Sequence, residues 1–391
     1  MMIHLSFLLL LTATTSKAQT IIDLSQPWTN EALYNQNKAS CTINAAMNPR
    51  FTRGYVIARG GQIVSEGYTS GNNVNGKYDA WSATKSWSTF FMGVLVDQGK
   101  LSVTERLADI FTADADWVGV SDAANKKTVL VSELLTMTSG LVPAACQSGL
   151  NEGQSTLQEV LNHVDYDGNQ RGQFCYIGGT HILARIIERR SGQTPRQFAS
   201  SSGIFSKLGM TDSDFEWTTF GGVEGSAYGL KTNPRIMAKL GQLFLQNGLA
   251  KTGDQLVSAS WVTASTQNYV NNDIANAKDV LPGYGYQWYV GGTGAYTGAA
   301  AALGGEGQII LYLPASDITI AIMGSGACNG APNNVEFLGT IIANLGDLSV
   351  AQTSCDQSFS YWKHFVEHPG LALLGPVRGV SNYLRGTGQF V

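Results

Sequence analysis

Apolar residues in this chain follow two periods, and the alternation between them divides it into elements. Gly54-Tyr55-Val56-Ile57-Ala58 and Gln62-Ile63-Val64-Ser65-Glu66-Gly67-Tyr68 are β-rich runs separated by Arg59-Gly60-Gly61, the pattern of a hairpin. After a polar Gly/Asn loop, Trp87, Phe91, Val94 and Leu95 recur at helical spacing. They predict a buried helix over residues 82–98 that Gly99 stops. From about residue 100 to 234 the chain turns helical and loop-rich, with short helices expected at Val131–Met137 and Thr156–Val164. A stronger helix is expected at Ile182–Arg190, ending on Ser191-Gly192, and an amphipathic one at residues 235–248, stopped by Asn247-Gly248. Strand patterns return at Tyr284–Val290, Gln308–Leu313 and Ile318–Met323, and a last helix fits Asn334–Leu345.

Strands at both ends with helices between predict an α/β (α+β) chain. Its discontinuous α/β domain comprises residues 19–100 and 235–350, and residues 101–234 form a helical insert domain. Residues 19–50 read as a strap over the surface, and residues 351–391, which show no clear period, as a C-terminal tail.

Composition narrows the class. The 391 residues are 43% hydrophobic and only 14% charged, with 45 glycines, a globular composition with many turns and close backbone approaches. A net charge of −4 without any Lys/Arg cluster argues against a nucleic-acid surface. No apolar run is long enough to span a bilayer. Leu5 to Ala13 reads as the apolar core of a secretory signal peptide, residues 1–18, cut after Ala18 in Ser16-Lys17-Ala18. The expected location is therefore extracellular, where the five cysteines (Cys41, Cys146, Cys175, Cys328 and Cys355) can form disulfides and one is left over. Their scatter does not suggest zinc, and His4, His163, His181, His364 and His368 have no metal-ligand spacing. His181 reads as a structural histidine, His364 and His368 as an exposed face of the tail, and Trp288 with its neighbouring tyrosines as packing.

The chemistry points to Ser82-Ala83-Thr84-Lys85. Ser82 opens the predicted helix and Lys85, three residues on, shares its face. A serine hydroxyl is a weak nucleophile that needs a base within hydrogen-bond reach. A lysine one turn away serves if its surroundings depress its pKa, the S-x-x-K arrangement of serine hydrolases that lack a catalytic histidine. Ser360-Tyr361-Trp362-Lys363 has the same spacing but lies in the tail, in no helical pattern, and reads as incidental.

Around this motif the chain resembles the serine β-lactamase and penicillin-binding-protein-like hydrolases, among them class C β-lactamases, related esterases and aminohexanoate-dimer hydrolases. The likeness runs from about Arg53 to Leu345. It includes Leu95-Val96-Asp97-Gln98-Gly99-Lys100-Leu101, Val131-Ser132-Glu133-Leu134-Leu135-Thr136-Met137-Thr138-Ser139-Gly140-Leu141, Ile204-Phe205-Ser206-Lys207-Leu208-Gly209-Met210 and Tyr284-Gly285-Tyr286-Gln287-Trp288. The resemblance implies a β-lactamase/transpeptidase-like fold, an antiparallel sheet flanked by helices with a mostly helical insert. It also implies a Y-x-N tyrosine. Gly172-Gln173-Phe174-Cys175-Tyr176 fits its approach, so Tyr176 is the expected acid/base, with Cys175 competing for the position. Gly178 stands where the family usually has Asn, removing an amide that holds the lysine and the substrate. The third motif, K-T-G or H-x-G on the strand beside the nucleophile, reads Gly304-Gly305-Glu306-Gly307-Gln308. Gly305, Glu306, Gly307 and Gln308 are thus the expected substrate-binding residues, with a strand N–H and that of Ser82 forming the oxyanion hole. A carboxylate at the place of the missing cation cannot attract a substrate carboxylate.

The reading that follows is a secreted serine hydrolase acting on a small-molecule ester or amide through an acyl-enzyme on Ser82, with Lys85 as base and Tyr176 as relay. No metal or organic cofactor is required, and neither a nucleic-acid partner nor a membrane span is expected. The altered second and third motifs argue against efficient penicillin hydrolysis. The rivals are a catalytically impaired homologue serving as a binding or structural protein, and a D-Ala peptidase. In the family the loop that holds Cys146 borders the Tyr motif, so a Cys146–Cys175 bridge is expected, then Cys328–Cys355, leaving Cys41 unpaired.

Overall fold

The segment around Ser82 folds into the middle of the protein. In the computed structural model, which describes residues 21–28, 52–142, 155–274 and 277–325, Trp81–Ala83 makes one 3-10 turn that runs directly into α1 (Thr84–Asp97). Every residue from Thr84 to Leu95 is buried. A helix enclosed all round keeps no polar face for water, so its hydroxyls must find partners inside. Ser86 donates to the Gln287 carbonyl at 2.7 Å and Ser88 to the Ser226 carbonyl at 3.2 Å. Gly93 is needed for close approach, since a Cβ there would fall 2.3 Å from the Trp261 indole nitrogen.

An antiparallel sheet of eight strands lies beside α1. The strands are β1 (Thr52–Arg59), β2 (Gln62–Tyr68), β3 (Val270–Asn271), β4 (Gly283–Tyr284), β5 (Tyr289–Val290), β6 (Ala300–Leu303), β7 (Ile309–Leu313) and β8 (Ile318–Gly324). Their order is β3-β4-β5-β6-β7-β8-β1-β2, so the N-terminal hairpin completes a sheet begun by the C-terminal strands, with Tyr55 opposite Ile322 and Ile57 opposite Ile320. Alternate residues take opposite faces. Val56, Ala300, Ala302, Ile310, Ala321 and Met323 join the core around α1, whereas Tyr55, Ile57, Ala301, Leu303, Ile309 and Ile320 belong to a second core on the other face.

Two further helices fix α1 and the sheet. α2 (Ile182–Ser191) packs on α1, and α3 (Pro234–Leu245) packs on β1, β7 and β8. The Asn233 side chain caps α3 by accepting from the Ile236 amide at 3.0 Å. On α3, the buried Lys239 donates to the carbonyls of Leu24 at 2.8 Å and Leu208 at 2.6 Å, pinning residues 21–28 to the body. Desolvation pushes its pKa down to about 8.

Most of the expected elements are present with shifted ends. Val131–Leu135, Leu157–Asn162 and Ile182–Ser191 are helical as anticipated. Tyr284–Val290 is not one strand. It folds back as the β4–β5 hairpin, with Gly283 opposite Val290 and Tyr284 opposite Tyr289. Gln287 takes φ +61° at the bend, where its amide group donates to the Leu134 carbonyl at 3.0 Å and the Leu135 carbonyl at 2.9 Å. The signal segment, the helix expected at Asn334–Leu345, the tail with its Ser360 motif, and Cys41, Cys146, Cys328 and Cys355 lie outside the described residues. Among those residues no helix is long and apolar enough to cross a membrane.

The enclosure of α1 yields a stability prediction. Gly93→Val places a branched side chain against the Trp261 indole and should cost about 1–3 kcal/mol, the usual range for overpacking, read as a lower denaturant midpoint at unchanged slope. A midpoint equal to wild type would mean that Trp261 yields freely.

Candidate active site

Ser82 and Lys85 meet. The Lys85 Nζ donates to the Ser82 Oγ at 2.8 Å and to the Ala227 carbonyl at 2.9 Å. Lys85 is only 2% exposed whereas Ser82 is half-buried, so the amine is dry and the serine remains partly accessible. Trp81, the residue before the nucleophile, has φ +45°. A bulky residue in that region is strained and persists only where its surroundings hold it.

Tyr176 completes the group. It follows the strand Asp165–Arg171, and its ring centre lies 4.9 Å from Lys85 Nζ. Ser82, Lys85 and Tyr289 lie close enough to its phenol to influence its charge. Desolvation is the largest influence on Lys85 and drives its pKa below the ordinary lysine value, against the opposing pull of Tyr176. For Tyr176 burial pushes upward, but the Lys85 charge and the neighbouring polar groups of Ser82, Lys85 and Tyr289 together outweigh it and hold the phenol below its ordinary value. The two groups therefore compete for one proton, and whichever lacks it can act as a base toward Ser82.

The loop carrying Tyr176 is tightly constrained. Ile177 takes φ +71°, a strained setting for a β-branched residue. Gly178 has no room for a side chain, because a Cβ would come within 2.3 Å of the Leu141 carbonyl oxygen. The absent amide of the Tyr motif is thus sterically excluded here, and the Ala227 carbonyl supplies the hydrogen bond that holds the lysine. Cys175 is buried and disulfide-bonded, with its partner outside the described residues.

The stretch Gly304–Gln308 forms the turn joining β6 to β7. β6 lies beside the Trp81–Ala83 turn, and a Cβ on Gly304 would meet the Ala80 carbonyl oxygen at 2.8 Å. Gly305 is exposed, Glu306 half-buried, and Gly307, at φ +89°, is buried. Gln308 is only 1% exposed, and its side chain accepts from the Glu306 amide at 3.0 Å and donates to the Gly324 carbonyl at 3.3 Å. Its amide group is therefore committed to the turn, where a role in contacting substrate was expected of it. The contact of Gly304 with Ala80 brings the turn that carries Glu306 beside the start of the Ser82 segment.

His181 is buried behind the group, edge-on to Phe220 and Tyr228. Burial, aided by the Lys85 charge, pushes its pKa down to about 3, so it stays neutral. Among the described residues no cluster of three His, Cys, Asp or Glu could hold a metal ion. Two contributors escape sequence reasoning. The Ala227 carbonyl belongs to a backbone without a side-chain signature, and its only signal is the small-residue run Gly225-Ser226-Ala227. Tyr289 resembles sheet packing, and only the fold brings it near enough to Tyr176 to influence it.

Residues 52–338 match the family described as Beta-lactamase. The chain belongs to that family. A curated relative, the 6-aminohexanoate-dimer hydrolase of Paenarthrobacter ureafaciens, is 24% identical over 296 residues, covering 70% of this chain and 72% of the relative. Among solved structures, a β-lactamase candidate from Bacteroides dorei DSM 17855 superposes with a TM-score of 0.63 at 19% identity, covering 79% of this chain and 99% of that one. A penicillin-binding protein homologue from Caulobacter crescentus gives 0.58 at 15% identity, covering 81% and 99%. The sheet and helices described above are thus the β-lactamase/transpeptidase fold, and membership makes the chain a relative of hydrolases.

Gly178→Asn would write the Y-x-N spacing into this β-lactamase-family chain. Because the Leu141 carbonyl occupies the space, the substitution is expected to lower stability by about 1–3 kcal/mol without raising turnover. An unchanged denaturant midpoint would show that the loop accepts the amide.

Proposed function

We propose that this protein is a secreted serine hydrolase that cleaves small esters or amides, neutral around the scissile bond, through an acyl-enzyme on Ser82. The observation that carries the reading is the 2.8 Å contact between Lys85 Nζ and Ser82 Oγ in a dry site, with the Tyr176 ring centre 4.9 Å from the same amine. Secretion rests on the Leu5–Ala13 apolar stretch and the Ala18 cleavage pattern.

In this mechanism Ser82 Oγ forms a bond to the substrate carbonyl carbon as its proton passes to Lys85, the dry amine being a competent base. Tyr176 gives its own proton to the leaving alkoxide or amine as the scissile bond breaks and is reprotonated by the one that Lys85 took from Ser82. Water then attacks the acyl-enzyme, giving a proton to the same pair, and Ser82 recovers one as it leaves. The relative from Paenarthrobacter ureafaciens is named for hydrolysis of an aminohexanoate dimer, which supports small linear amides as part of the substrate class. The impaired-homologue reading is weakened because the lysine keeps a carbonyl partner despite the loss of the Asn.

Ser82→Ala should lower turnover of a short-chain ester by about a thousandfold or more, and Lys85→Ala should be nearly as damaging, since base and nucleophile act as one unit. Ser360→Ala should leave the rate intact, and a fluorophosphonate should label Ser82. Wild-type rates in Ser82→Ala would refute the assignment.

Glu306, on the turn beside the start of the Ser82 segment, bears on substrate choice. Like charges brought together in a partly dehydrated site cost several kcal/mol, so Glu306→Gln should raise kcat/KM for a carboxylate-bearing amide, relative to its neutral counterpart, by about tenfold or more. An unchanged ratio for the matched pair would remove Glu306 from substrate selection.

A further inference from the structure

The carbonyl that holds Lys85 belongs to a segment with an anchor of its own. Ser226, the residue before Ala227, is only 1% exposed. Its hydroxyl donates to the Thr180 carbonyl at 2.7 Å and accepts from the Ala184 amide at 3.2 Å. Its own carbonyl accepts from the Ser88 hydroxyl of α1 at 3.2 Å. The first amides of a helix have no partner within it. His181, at the start of α2, does not cap it with its side chain. Ser226 therefore supplies from another segment the acceptor that a capping serine gives from its own helix. One buried hydroxyl fastens Ser226 to the start of α2, and its carbonyl fastens it to α1.

That anchorage bears on the base. The Ala227 carbonyl lies 2.9 Å from Lys85 Nζ, and Ser82 Oγ lies 2.8 Å from the same atom. A neutral amine has two N–H groups and one lone pair. With one N–H committed to Ala227, the lone pair can turn to Ser82 and receive its proton across the 2.8 Å contact. The titratable and charged groups on the neighbouring elements are accounted for. Tyr176 favours the charged amine, against burial, and His181 stays neutral. Arg185 of α2 donates to the Ser155 and Phe220 carbonyls and pairs with Glu188. Glu224 accepts from the Arg196 amide, Tyr228 meets His181 edge-on, and Glu306 is half-buried on the turn after β6.

We propose that Ser226 is a positioning residue for acyl transfer: its hydroxyl, fastened to the first turn of α2, keeps the Ala227 carbonyl on Lys85 and so aims the lone pair of the amine at Ser82. The proposal rests on the hydrolase reading. Ser226 keeps its own proton throughout. The proton that moves passes from Ser82 Oγ to Lys85 Nζ as the bond from Oγ to the substrate carbon forms.

Ser226→Ala removes the hydroxyl and frees the Ala227 carbonyl to shift. A carbonyl acceptor stabilises the charged amine more than the neutral one. Losing it should make Lys85 easier to deprotonate and leave it poorly aimed. The expected kcat is about tenfold lower, with KM within about twofold. The acidic limb of the kcat/KM profile should move down by about half to one pH unit. A core that was merely loosened would admit water to the lysine, relieve its desolvation and move the limb up. NMR titration of isotope-labelled lysine side chains, assigned to Lys85 by difference from Lys85→Met, reads the same change without turnover. If Ser226→Ala does not fold, Ser88→Ala cuts the tie to α1 and should move limb and titration down by a smaller amount. A limb and titration that stay in place or rise would overturn the role of Ser226 alone. A titration moved down beside full turnover in Ser82→Ala would keep the hold on Lys85, overturn its role in acyl transfer, and take the hydrolase reading with it.

Discussion

The site depends on burying an ammonium. Lys85 lies on a helix whose every side is occupied, and water cannot solvate its charge there. Removing a cation from water costs several kcal/mol even after the protein relaxes around it. Such a lysine has two ways to lower that cost, giving up its proton or lying against a group that becomes anionic. Tyr176, its ring centre 4.9 Å from the amine, offers the second way, and Ser82 accepts a hydrogen bond from that same amine. In the proposed mechanism the reactivity of Ser82 is thus a by-product of the packing that desolvates the lysine, and the Ala227 carbonyl keeps the amine in place in either state.

The surrounding fold serves to hold that geometry. Positive φ values at Trp81 and Ile177 immediately flank Ser82 and Tyr176, and such strain is retained only where neighbouring structure over-determines it. Those neighbours are identifiable. The backbone of Ala80 is tied to Leu230 at 2.8 Å, and the Cys175 amide donates to the Met137 carbonyl at 2.9 Å. Gln287 joins the Val131–Leu135 helix to the β4–β5 bend, whose carbonyl in turn receives the Ser86 hydroxyl. One buried glutamine therefore links the sheet, the helical region and the nucleophile helix.

How much of this was legible in the sequence follows from what each element is made of. α1, α3 and the β1–β2 hairpin have apolar periods that match their structures, because a large core reads the side chains directly. The break within Tyr284–Val290 was not legible. Its residues are apolar enough for a strand, and the bend depends on the backbone angle of Gln287, which has no compositional signature. The strand Asp165–Arg171 escaped for the opposite reason, being polar along most of its length and paired, among the described residues, only to Ser139–Val142. At the site, Ser82 and Lys85 were visible from spacing and Tyr176 from resemblance. The hydrogen bonds of Gln308 within its turn were not legible, because the sequence does not show which way an amide points. Tyr289 needed the three-dimensional pairing of β4 with β5 to bring it near Tyr176.

The most direct test is to catch the covalent state. Mixing the protein with excess short-chain ester, quenching in acid within one turnover and mapping the peptides by mass should give an acyl adduct on Ser82 that disappears on longer incubation as deacylation completes. An adduct on another residue, or turnover with no adduct at any time, would contradict the account.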